Sequence, residues 1–250
     1  MKESAKLYLV LGTPQSGRKE IIYDLIEGSS DFSNTNYWVL IHSTESTDSF
    51  TQKLQALSNS QVIIWDNLNR HFNIPDFDAA PTDKIFLILS GHNDLIDQVE
   101  DFKNWLDKHP QFVLARVLSV IDCQLAQDNE ELLPWFDAVV YFSDYVFLTR
   151  REIVSEKWVR DFIQSFEKQI YPCVFEKVKK YHVENPDTVL NPEARRISHL
   201  FDNLDAIETL EIDETNLPEE PFELKIKADP YLERGEDGKR IIKLPSIHLK

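Results

Sequence analysis

The stretch from Lys6 to Glu27, KLYLVLGTPQSGRKEIIYDLIE, restricts the possible folds more than any other part of the chain. Leu7, Tyr8, Leu9, Val10 and Leu11 are apolar in succession, the pattern of a central strand covered on both faces. After Gly17 the period changes. Ile21, Ile22, Leu25 and Ile26 fall on one helical face, while Glu20 and Asp24 fall outside it. The stretch therefore predicts a strand, a glycine-bounded loop and a helix, in that order.

The connection Gly12-Thr13-Pro14-Gln15-Ser16-Gly17-Arg18-Lys19 has the glycine spacing of a P-loop, G-x-x-x-x-G-K-[ST], and departs from it at the last two positions. Glycines so placed let successive backbone N–H groups point into one concavity at a helix N-terminus, where the helix dipole favours an anion. The lysine of the motif neutralises terminal phosphate charge, and the hydroxyl after it ligates Mg²⁺. Arg18 brings a planar fork of longer reach to the lysine place. Lys19 has only donors, so it cannot be a metal ligand. The expectation is an anion held by Gly12, Ser16, Gly17, Arg18 and Lys19, with the two cations supplying the charge that Mg²⁺ normally brings and no catalytic residue assigned. The alternative is a βα turn that binds nothing.

At 250 residues the chain accommodates one α/β domain with a small appendage. Asp and Glu outnumber Lys and Arg by 43 to 27, a formal charge of −16. That balance argues against nonspecific binding of nucleic acid or of an anionic membrane, both of which need positive surface. No apolar run approaches the roughly 20 residues of a membrane span, and the N-terminal run is better used as a first strand than as a signal peptide. Cys123 and Cys173 form neither a disulfide framework nor a C-x-x-C site. The cytoplasm is the expected compartment. No histidine spacing suggests a metal site. His42, His92 and Asp122 lie at inferred strand ends, where they could line a crevice or simply face solvent.

Further strands are expected at Tyr37–Ile41, Gln61–Trp65, Lys84–Leu89, Phe112–Ile121, Tyr145–Leu148 and Cys173–Phe175. Helices are expected after the capping group Ser46–Asp48, over Val99–Leu106, over Trp158–Ile170, and from Asn191–Pro192 through Phe201. Asp66–Asp83 reads as a long irregular connection, and Ala138–Phe142 as a short apolar run. Asp202–Glu223 is acidic and contains no lysine or arginine. Phe222–Lys227 and Lys239–Leu244 flank a Gly235–Gly238 turn, as in a hairpin. Strands alternating with helices imply an α/β fold, a mainly parallel sheet with helices on both faces. The domain boundaries expected are 1–180 for a nucleotide-binding domain of P-loop NTPase type and 181–250 for an extension.

In this order of elements the chain resembles the CobW/HypB/UreG group of P-loop GTPases, and its CobW branch most closely. Four places between residues 6 and 176 carry the resemblance. They are Gly12–Lys19; Phe86–Gly91, similar to a strand ending in Glu-Thr-Ser-Gly but with Ile88 at the glutamate place; Leu118–Cys123, similar to a strand ending in Val-Asp-Ala; and Ser143–Glu152, where the branch has an apolar strand followed by [NT]-K-x-D. The resemblance implies a purine nucleotide, GTP or GDP, contacted by Ser90, Gly91, Thr149, Arg150 and Glu152 as well as by the loop. Hydrolysis would be weak or lost, and Mg²⁺ is not expected. It also implies two rivals: a pseudo-GTPase scaffold that binds no nucleotide and meets a protein partner through the extension, or a GTP-dependent metallochaperone. The Cys-x-Cys-Cys metal motif of the branch has no counterpart in Gln61–Asn67.

Overall fold

Because Leu7 to Leu11 are all buried, the first strand, β1 (Ala5–Gly12), can only lie inside a sheet. It does so in a computed structural model that describes residues 4–45, 47–202 and 229–247. The chain continues through α1 (Arg18–Glu27), β2 (Tyr37–His42), α2 (Ser49–Ala56), β3 (Ser60–Leu68), β4 (His71–Asn73), β5 (Lys84–Ile88) and α3 (Leu95–Leu106). It then forms β6 (Phe112–Asp122), α4 (Cys123–Asp128), α5 (Leu133–Phe142), β7 (Tyr145–Thr149), α6 (Glu156–Glu167), β8 (Val174–Lys177) and α7 (Pro186–Leu190). The strands make one sheet in the order β4-β3-β2-β5-β1-β6-β7-β8. All pairings are parallel except β3 with β4. This is the α/β class expected.

Ile21, Ile22, Leu25 and Ile26 of α1 are buried, as the helical period requires. They pack with Tyr8, Val10, Phe86 and Ile88 of the sheet in one core. Phe86 stacks on Tyr8 at 5.2 Å and on Tyr37 at 6.5 Å. Helix starts follow their caps. Asp48 makes a capping box with Thr51, Asp94 accepts from Asp97 N, and Ser155 accepts from Trp158 N.

Four local expectations need correction. Asp66–Asp83 is not wholly irregular, because β3 runs on to Leu68 and turns back as β4 through Asn69 and Arg70, which adopt φ of 51° and 63°. Two residues of positive φ suit a tight hairpin, and Arg70 is held there by Glu100 and Asp101. Ala138–Phe142 is the end of α5, which carries Pro134 in its first turn and buries Trp135, Phe136 and Val139. The helix expected to reach Ile170 stops at Glu167, and Ile170 is exposed with φ of 61°. No helix follows Asn191 among the described residues.

That last failure has a definite cause. The buried Arg116 donates to the Glu193 carbonyl, and the Asp144 carboxylate accepts from Arg195 N and pairs with Arg196. Backbone groups committed to these distant partners are not available for a local helix. Val183, Val189 and Leu190 join the core instead.

The residues group into two compact units, Met1–Ile197 with Leu244–Lys250, and Ser198–Lys243. In the second unit the Gly235–Gly238 turn is flanked by an Arg234–Arg240 bridge. The acidic stretch beyond Asp202 and the Phe222–Lys227 arm lie outside the described residues. No helix among the described residues is long and apolar enough to cross a membrane.

Candidate functional site

β2, β5, β1, β6 and β7 are neighbours in the sheet, so the loops at their carboxyl ends converge on one rim, the usual place for ligands in such sheets. β1 delivers the glycine-bounded loop. Gly12, Gln15 and Gly17 take φ of 150°, 59° and 101°, which curls the backbone into a concavity. Gly17 is the N-cap of α1 and brings no capping side chain. Thr13 Oγ1 and Ser16 Oγ are buried and have no hydrogen-bond partner among the described residues. Buried hydroxyls without partners are unusual, and here they accompany a backbone shape suited to an anion.

Arg18 and Lys19 are both buried beside this loop, and each meets a carboxylate of the segment after β2. Arg18 Nη2 donates to Glu45 Oε2 at 2.7 Å and its Nη1 to Leu89 O at 2.5 Å. Lys19 Nζ pairs with Asp48 Oδ2 at 2.5 Å. Burial works against the charge on Asp48, but the hydrogen bond and charge of Lys19, with the Thr51 N–H, hold its carboxyl below the usual range. Burial, reinforced by the charge of Asp48, pushes the Glu20 carboxyl up.

A cavity of 160 Å³ opens here, walled by Gln15, Gly17, Ile88 and Tyr181. Its charged lining is Arg18, Lys19 and Arg150 against Glu20, Glu45 and Asp48. The formal charges cancel. The volume is about half the lower end of the roughly 300–1,000 Å³ typical of small-molecule sites. Tyr181 presses on the loop, for a Cβ added at Gly17 would lie 2.7 Å from its Cδ1.

The remaining expected residues divide. Gly91 N donates to Glu45 Oε1 at 2.9 Å, and Ser90 Oγ shares a hydrogen bond with Thr44 Oγ1 at 2.7 Å. Both therefore belong to the same rim. Thr149 Oγ1 donates to Ser16 O at 2.9 Å and tethers the loop from below. Arg150 lines the cavity but is turned to Asp122 Oδ2 at 2.8 Å, and Asp122 also caps α4. A second cavity of 190 Å³ shares Arg150 and Gln15 with the first in its lining. Glu152 is exposed and lines neither cavity. His92 is exposed. His42 is buried, hydrogen-bonded through Nδ1 to Thr44, and burial lowers its pKa.

A Mg²⁺ ion does not fit this donor set. An ammonium group fills the place after the loop cation, the apolar Ile88 ends β5, and the nearest carboxylates are already paired. Among the described residues no group of three or more His, Cys, Asp or Glu side chains is arranged to hold a metal ion. Sequence reasoning missed Glu45, Asp48 and Tyr181. For the two acids a signal existed, since they follow a strand at its carboxyl end, where an α/β sheet places its site.

Neither a protein-family model nor a curated protein matches the chain. Solved structures do overlap it. Zn(II)-bound YjiA GTPase from E. coli matches with 10% identity and a TM-score of 0.43 over 76% of this chain and 61% of that one. The cell division protein FtsY from Thermotoga maritima matches with 13% identity and a TM-score of 0.46 over 76% of this chain and 68% of that one. The signal recognition particle receptor FtsY from Elizabethkingia anophelis in complex with GDP matches with 15% identity and a TM-score of 0.39 over 59% of this chain and 49% of that one. The chain thus spans about three fifths of the YjiA structure's length. Such loose overlaps carry no argument about chemistry, which must come from the side chains.

Proposed function

We propose that the protein is a degenerate P-loop scaffold of CobW-like descent that binds a purine nucleotide weakly, without Mg²⁺, and does not hydrolyse it. The observation that carries this reading is the pairing of both loop cations with internal carboxylates, Arg18 with Glu45 and Lys19 with Asp48. An incoming phosphate must compete with an acid at each cation, so the attraction that normally drives nucleotide binding is largely spent inside the protein. The glycine-bounded concavity and the two hydroxyls without partners support a residual affinity for an anion. Hydrolysis needs groups that hold metal and orient water, and Lys19 and Ile88 supply neither.

Base selection would fall to Thr149, Arg150 and Glu152, and the exposed Glu152 favours little discrimination between GTP and ATP. A scaffold that binds no nucleotide at all is the second reading, favoured by the Tyr181 ring on Gly17 and the small, charge-balanced cavity. Its partner surface would lie in the extension. Calorimetric titration with GDP, GTP and ATP, with and without Mg²⁺, separates the readings. Weak binding indifferent to Mg²⁺ supports the first, and absence of binding at millimolar nucleotide supports the second. Tight Mg²⁺-dependent binding would sink both and restore a GTPase or metallochaperone role.

A further inference from the structure

We infer that Glu45 is a built-in substitute for a terminal phosphate, a carboxylate latch that fixes the loop after β5 in the arrangement a bound nucleotide would otherwise impose. The inference rests on the reading of Gly12–Lys19 as an anion site. Arg18 stands at the motif position whose cation meets the terminal phosphate. That cation donates to one oxygen of Glu45 at 2.7 Å, and the Gly91 N–H donates to the other at 2.9 Å. One anionic group therefore draws together a P-loop cation and a backbone donor from the neighbouring loop. In nucleotide switches, segments beside the phosphate are ordered by contacts of this kind and released when the phosphate is lost. Here the chain itself supplies the anion.

The surroundings make the latch specific. A Cβ added at Gly91 would lie 2.5 Å from Pro14 Cδ and 2.8 Å from the carbonyl carbon of Thr13, so this loop is seated on the P-loop backbone. Gln98 clamps it further, accepting from Ser90 N at 2.8 Å and donating to Ser90 O at 3.0 Å. The side chains of Arg18 and Glu45 are 3% and 8% exposed, so solvent competes little for the pair. Asp48 makes a comparable pair with Lys19, but its side chain is 37% exposed and its contacts stay within its own helix start and Lys19. Of the two acids, Glu45 is the one bonded to the Gly91 loop. The latch leaves the Gly91 loop ordered whether or not nucleotide is present, and any ligand that enters must displace a carboxylate with an anion of its own.

The test is Glu45→Gln, which keeps the shape of the side chain and removes its charge. Titration with GTP and with inorganic pyrophosphate should show an affinity gain of about tenfold or more over wild type, and amide exchange across residues 89–94 should accelerate without ligand and slow again when GTP is added. Glu20→Gln removes an acid from the same cavity without touching Gly91, and should leave exchange at 89–94 unchanged. Should Glu45→Gln fail to fold, Glu45→Asp shortens the reach and should accelerate the same amides while preserving the charge. Equal affinities in wild type and variant, with binding in both, would overturn the latch and leave the anion site standing. Equal acceleration in Glu20→Gln would overturn it as well. If neither protein binds GTP or pyrophosphate at millimolar concentration, the anion-site reading falls and the latch falls with it.

Discussion

Arg18 and Glu45 form a buried ion pair, and separating its members should cost far more than deleting both. Arg18→Met leaves the Glu45 carboxylate with the Gly91 N–H but no cation, and leaves Leu89 O without its donor. Breaking a buried pair from one side typically costs about 3–5 kcal/mol, while replacing both members by apolar groups is often close to neutral. For a chain of this size, that single loss corresponds to a fall in melting temperature of about 6–20 °C. Glu45→Leu should cost a comparable amount, and the double variant Arg18→Met/Glu45→Leu less than either single one. All five tryptophans lie between Trp38 and Trp158, within the unit that holds the pair, so urea unfolding followed by tryptophan fluorescence reads the right region. If the two single effects add to within about 0.5 kcal/mol, the residues are not coupled and the pair does not exist in solution.

Gly17→Ala should destabilise by at least about 1–2 kcal/mol, because an L-residue at φ of 101° is strained and the new Cβ meets the Tyr181 ring. Adding Tyr181→Ala should recover only the steric part, as measured by urea unfolding, and full recovery would mean that the backbone there is not left-handed. Asp48 contributes to stability with a definite pH sign. Its folded pKa is depressed, so its contribution is present above the ordinary carboxylate pKa of about 4 and is lost as pH falls through the lower folded value. Asp48→Asn should therefore be less stable than wild type at neutral pH and converge with it in acid, and a constant gap at all pH values would refute the pairing with Lys19. Burial pushes the thiols of Cys123 and Cys173 up to about 12. Neither should react with a thiol reagent at pH 8 until urea unfolds the chain, and prompt reaction of the native protein would contradict this.

What the sequence made legible follows the range of the forces involved. Leu7 to Leu11 and the 3.6-residue spacing of Ile21 to Ile26 are local patterns, and they place β1, the loop and α1 correctly. The same holds for the strand that carries Phe86 to Ile88 and for the Asp48 cap. The helix expected after Asn191 failed because Arg116 and Asp144, far away in the chain, take up the Glu193 carbonyl and the Arg195 N–H that it would have used. The apolar Ala138–Phe142 run was ambiguous because a short buried segment shows no period of its own. At the site, the substitutions Arg18, Lys19 and Ile88 were visible as departures from a motif. Their partners Glu45 and Asp48 were legible only as acids that follow a strand's carboxyl end, since pairing across 27 and 29 positions has no sequence signature. With those partners in place, Arg18 and Lys19 become half of an internal charge balance rather than a free substitute for a metal ion.

In this account the loop keeps the shape of a phosphate site, its two cations are already paired with Glu45 and Asp48, and no group among the described residues is arranged to hold metal. The most direct measurement is release of inorganic phosphate from millimolar GTP by the purified chain, with Mg²⁺ and with chelator. The account predicts release at the protein-free rate in both conditions. Turnover that depends on Mg²⁺ and is abolished by Arg18→Ala would contradict it.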